Sequence, residues 1–173
     1  MIEVINSMSW KRVFAFVGLY LFFSYLSIEL IHAPGQVTLF WPASGVALAF
    51  MVRFGLRWSV PLAASLLLMH ALFNPVPPVF LIFSVLSNVL GASVATLYLR
   101  SQNAPSFLSL KSGFALLRAA CLMVVVGSLI GVTGLVVADL AHINQFWANV
   151  AKWAFGDLLG IISVSPTLLL LIA

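Results

Sequence analysis

The chain has 173 residues, 63% hydrophobic and 7% charged, with eight Lys and Arg against four Asp and Glu. A soluble domain is typically about a quarter charged, so this composition and a mean hydropathy of +1.17 exclude that class and require lipid as the solvent. The net charge of +4 does not indicate nucleic acid, because the basic residues stand singly or in pairs at the ends of apolar runs and form no stripe along which a phosphate backbone could lie.

A membrane-crossing helix needs roughly 17–25 mainly apolar residues. Lys11 and Arg12 precede the first apolar run, and no small-residue cleavage site follows it, so the run reads as a retained anchor and not a signal peptide. That first span covers residues 13–31 and is closed by Pro34-Gly35. A second, short one begins at Trp41-Pro42 and ends at Arg53, with Pro42 in the first helical turn, where its missing N–H has no intrahelical acceptor. The third covers residues 58–73 and stops at Asn74-Pro75-Val76-Pro77-Pro78. The remaining three cover residues 79–99, 112–137 and 145–172. Cys121, the single cysteine, lies inside the fifth, which excludes an intrachain disulfide or a thiolate cluster.

The pattern predicts an all-α polytopic membrane bundle of about six transmembrane helices. Lys11, Arg12, Arg53, Arg57, Arg100 and Lys111 flank alternate loops, while the opposite loops carry no Lys or Arg. The positive-inside rule therefore places both termini in the cytoplasm. Residues 1–12 form a cytoplasmic segment and residues 13–173 the membrane domain, whose last helix is expected to lead into a cytoplasmic output domain in cis. Small residues recur at four-residue spacing: Ser87, Gly91 and Ala95; Gly127 and Gly131; Gly156 and Gly160. Such stripes let helix backbones approach closely, either inside one bundle or at the seam of a homodimer.

Asp157 is the residue of greatest chemical interest. It lies about twelve residues into the last span, roughly 18 Å deep at 1.5 Å per residue, and a carboxylate there costs about 2.5–3.5 kcal/mol on insertion scales. It therefore needs a donor, a cation or a proton. Trp153 and Gly160 share its helix face, and Lys152 lies nearer the outer surface. Asn88, roughly 14 Å into the fourth span, matches its depth and is the expected hydrogen-bond donor, which would pin the fourth helix to the sixth. Trp41 is a further candidate for a pocket at this site. Glu29, still within the first span, also needs a donor, with Lys152 or water as candidates.

Glu29, His32, His70, Asp139 and His142 gather toward the outer side, where histidines with carboxylates can ligate a metal or a haem. No His pair stands at helical spacing, so solvated interfacial histidines are the ordinary reading and no cofactor is assigned. Trp10 and Trp58 are expected to mark the inner interface and Trp41, Trp147 and Trp153 the outer one. No nucleophile–base pair, phosphate loop or catalytic carboxylate pair is present.

Three segments in order resemble the membrane-associated sensor domain family, type one. Trp41-Pro42-Ala43-Ser44-Gly45-Val46-Ala47-Leu48-Ala49 resembles its WPxxGxALA signature. Ser87-Asn88-Val89-Leu90-Gly91-Ala92 with Leu97-Tyr98-Leu99-Arg100 resembles its GNxLEA…LLRR segment, with Gly91 where the family has an acidic residue. Trp153-Ala154-Phe155-Gly156-Asp157-Leu158-Leu159-Gly160 followed by Val164-Ser165-Pro166 resembles its WxxGDxLGxxxxxP helix. The resemblance implies a bacterial inner-membrane sensory module that regulates a cytoplasmic output, either cyclic di-GMP synthesis or degradation or a histidine kinase. It also marks Pro42, Gly45, Gly156, Gly160 and Pro166 as motif positions. The expected partners are the lipid bilayer, the output domain and a small ligand of unspecified chemistry. The alternative reading is a small-solute or ion transporter or channel subunit, which a midmembrane carboxylate beside a short span also fits.

Overall fold

A computed structural model describes residues 8–30, 37–102 and 110–172. Within them the chain is helical, without a strand. In chain order the helices are α1 (Trp10–Leu30), α2 (Pro42–Phe54), α3 (Ser59–Leu72), α4 (Pro78–Ser101), α5 (Leu110–Val137) and α6 (Phe146–Leu171). Short 3-10 turns, Leu56–Trp58 and Ile143–Gln145, lead into α3 and α6.

Six helices stand where six were expected, but only four of the described ones are long and apolar enough to cross a membrane: α1, α4, α5 and α6. Four of the six expected spans are thus supported. With 13 and 14 residues, α2 and α3 each extend about 20 Å, short of the roughly 30 Å hydrocarbon core. Gly55, at φ 100°, breaks the helix between them, and Pro42, which opens α2, and Pro75 after α3 stop either from growing outward.

The shortest helix occupies the centre. Every residue of α2 except Arg53 is buried, as expected of a helix apolar on all sides. It packs against α6, α1 and α4, while α5 fills the gap between α4 and α6, and α3 lies along α1 and α4. Phe16, Phe50, Phe54 and Trp58 form an aromatic cluster with neighbouring centroids 5.1–5.6 Å apart. Trp58, 2% exposed, is thus a core residue and not the interfacial anchor expected; Trp10 and Trp147, 77% and 71% exposed, do suit a belt. The outer surface presents large apolar side chains, among them Phe14, Ile82 and Phe114, so lipid is the natural contact.

Three bonds hold α2 parallel to α6 along their whole shared length. The Trp41 amide donates to the Gly156 carbonyl (3.0 Å), Ser165 Oγ to the Gly45 carbonyl (2.9 Å) and Arg53 Nε to the Ile172 carbonyl (2.8 Å). These backbones can touch because the facing residues are glycine. A Cβ on Gly45 would lie 2.6 Å from the Gly160 carbonyl oxygen, and one on Gly160 would collide with the Trp41 backbone. On α4, a Cβ on Gly91 would come within 2.8 Å of the Met123 carbonyl on α5. The small-residue stripes therefore serve helix packing inside this bundle.

Gly160→Ala should lower stability by about 1–3 kcal/mol through overpacking against backbone that has little room to retreat. Gly113→Ala, where a Cβ meets nothing within 4 Å, should be neutral or stabilising. Apparent thermal unfolding midpoints in detergent would separate the two.

Candidate functional site

The α2–α6 contact delivers Asp157 into the interior, 5% exposed. Its two oxygens have separate donors: Ser44 Oγ reaches Oδ1 at 2.7 Å, and Trp153 Nε1 reaches Oδ2 at 3.0 Å. Hydrogen bonds to a charged group contribute about 1.5–3 kcal/mol each. Two of them are enough to offset the insertion cost of about 2.5–3.5 kcal/mol. Both donors are neutral, so the carboxylate is solvated by protein without a counter-charge.

Local sequence places each donor. Trp153 lies four residues before Asp157 on one turn of α6, the spacing that brings side chains together. Its ring rests on Gly131 of α5, where a Cβ would lie 2.5 Å from the indole. Ser44 sits in the first turn of α2, which the Pro42 start and the Trp41–Gly156 bond anchor against α6. Beside them, the fully buried Tyr20 lies within electrostatic reach of Trp41 and Asp157 without the geometry of a hydrogen bond to either.

A cavity of about 90 Å³ opens onto this carboxylate. One water needs roughly 10–15 Å³ on the same measure, so the space holds several waters or a small organic group. Val37, Thr38 and Trp41 wall it from the approach to α2, and Leu66, Met69 and His70 from α3. Asn74, Phe80, Ser84 and Asn88 contribute from the α3–α4 side, Trp153 and Asp157 from α6.

Asn88 lines the cavity but does not bond Asp157, contrary to expectation. Its amide nitrogen donates within α4, to the Ser84 carbonyl (2.9 Å) and Ser87 Oγ (3.3 Å). Equal depth did not mean contact, because α5 is packed between α4 and α6. Lys152 and Glu29 are both exposed and make no ion pair among the described residues, so neither belongs to the buried site.

Among the described residues the outer histidines do not assemble. His32 lies outside the described residues, and His142 is exposed on the approach to α6. His70 is buried with both ring nitrogens engaged, Nδ1 with the Asn74 carbonyl (3.0 Å) and Nε2 with Ser84 Oγ (2.8 Å). A carbonyl only accepts, so Nδ1 carries a proton and donates, and in the neutral ring Nε2 accepts from Ser84. Asp139 is exposed in the α5–α6 turn at φ 57°. Among the described residues no group of three or more His, Cys, Asp or Glu could hold a metal.

Sequence reasoning did not single out Ser44, Tyr20 or the His70–Ser84 pair. Ser44 had a visible signal: it lies inside the Trp-Pro-Ala-Ser-Gly motif, in the first turn of an otherwise apolar helix.

The family model MASE1 matches residues 11–173. The chain belongs to the MASE1 family. MASE1 domains are membrane sensor domains of signalling proteins, without catalytic function of their own. A search of the curated proteins and of the solved structures gives no match. All three motifs that resemble the family meet in the MASE1 fold at one place: Trp41 and Ser44 from the first, Asn88 from the second, Trp153 and Asp157 from the third line the cavity or bond the carboxylate.

Ser44→Ala should destabilise the domain by about 1–3 kcal/mol, since the carboxylate loses a donor and stays buried. In a double-mutant cycle it should couple to Asp157→Asn by about 0.5–3 kcal/mol. Gly131→Ala should displace the Trp153 ring, read as a shift in tryptophan emission.

Proposed function

We propose that this MASE1 domain receives its stimulus in the Asp157 cavity and passes it along α6 to a cytoplasmic output. The output class that fits is cyclic di-GMP synthesis or degradation, or a histidine kinase. The reading places the domain in a bacterial inner membrane with both termini in the cytoplasm, as the loop charges suggest.

The observation that carries it is the position of one carboxylate. Asp157 is at once a wall of the cavity and a rivet between α2 and α6. An occupant that drew it away from Ser44 or Trp153 would loosen the same helix pair that Arg53 ties together at its far end. Pro166, between Asp157 and that end, withholds one backbone hydrogen bond and so provides a place for α6 to bend. Any such stimulus must bind two helix arrangements unequally, since equal affinity shifts nothing.

Joined through its last helix to a diguanylate cyclase reporter, Asp157→Asn should change cyclic di-GMP output roughly 5-fold or more, the lower range of measured couplings. Thr133→Val, an exposed position on α5, should leave it unchanged. Equal output from Asp157→Asn and the unaltered chain at every stimulus level would overturn the reading.

A further inference from the structure

The cavity has a polarity of its own. Three of its donors are turned into the protein: Trp153 Nε1 to Asp157, the Asn88 amide to Ser84 and Ser87, and His70 Nδ1 to Asn74. Its acceptors keep spare capacity: each Asp157 oxygen receives one hydrogen bond and can take another, and no hydrogen bond to Asn88 Oδ1 is formed among the described residues. No Lys or Arg contributes to the wall. The space thus holds a carboxyl group with spare acceptor capacity and is flanked by two indoles, Trp41 and Trp153.

That combination selects a class of occupant. An anion would meet an uncompensated carboxylate. A neutral donor can hydrogen-bond the acceptors but leaves the carboxylate without a counter-charge. A bare divalent metal wants six or so oxygen ligands, and a single carboxylate with a single amide oxygen does not supply them. An alkylammonium ion satisfies every element: its N–H groups meet the carboxylate and the amide oxygen, its positive charge is attracted to the indole faces, and its alkyl part suits Leu66, Met69 and Phe80.

We propose that the cavity binds a small organic ammonium ion, its charged head on Asp157 and the Asn88 carbonyl beside the Trp41 and Trp153 rings. This assignment rests on the reading of the cavity as the stimulus site and names the chemistry of the stimulus.

The test uses the full chain in a non-ionic maltoside detergent, titrated calorimetrically with tert-butylammonium chloride. tert-Butanol, of the same shape without the charge, is the neutral control, and potassium chloride controls for ionic strength. tert-Butylammonium should bind saturably and at least about tenfold more tightly than tert-butanol. Asp157→Asn should weaken it roughly 10- to 100-fold. Asn88→Ala, which leaves the α2–α6 bonds intact, should weaken it roughly tenfold and keeps the test decisive if Asp157→Asn fails to fold. Equal affinity for the alcohol and the ammonium ion, or ammonium binding indifferent to both substitutions, would overturn the assignment. Binding that follows the expected pattern but leaves the cyclase reporter unmoved would uphold the ammonium site and overturn its role as the stimulus site.

Discussion

The close approach of two backbones organises this bundle. The segment entering α2 lies directly on the Gly156–Gly160 face of α6, close enough for the Trp41 amide to bond the Gly156 carbonyl. In lipid there is little hydrophobic force between helices, so van der Waals contact and polar bonds between them must hold the fold. Glycine on α6 and on α2 makes the contact short, and the contact brings Ser44 within 2.7 Å of Asp157. Without that seat the carboxylate would lose a donor and α2, too short to span, would lose its main neighbour.

The same contact explains why a membrane domain can keep so short a helix at its centre. An isolated helix of α2's length would leave terminal carbonyls and N–H groups within the apolar layer, each costly when unpaired. Here arginines attend the ends. Arg100 donates to the Val52 carbonyl at the close of α2, and Arg53 donates to Ile172 at the close of α6. Cations at helix C-termini also complement the helix dipole. These arginines thus cap neighbouring helices as well as marking a membrane face.

The carboxylate adds polar bonds to this packing. Asp157 is tied to α2 by Ser44 and to its own helix by Trp153, whose ring is seated on Gly131 of α5. A change at the carboxylate is therefore felt on three helices. A rigid pocket would bind without reporting, whereas one whose wall is also a helix joint can convert occupancy into movement.

Much was legible in the sequence because membranes impose one-dimensional rules. Hydropathy runs, proline stops and helix spacing are local, and they indicated six helices with boundaries close to those observed, as well as the placing of Trp153 and Asp157 on one helix face. Asp157 itself was legible because a carboxylate in an apolar run is costly wherever its neighbours lie. What depends on which helix sits beside which was not local. Depth alone suggested Asn88 as the partner of Asp157, but α5 stands between α4 and α6, and the donor came from Ser44 on α2. Trp58 read as an interfacial anchor until packing with Phe16, Phe50 and Phe54 made it core. The sequence by itself determined the solvent, the helices and the residue that needs a partner; only the tertiary structure decided the partner, the cavity and the burial of α2, because helix adjacency is set by side-chain and backbone fit across the bundle and leaves no periodic trace along the chain.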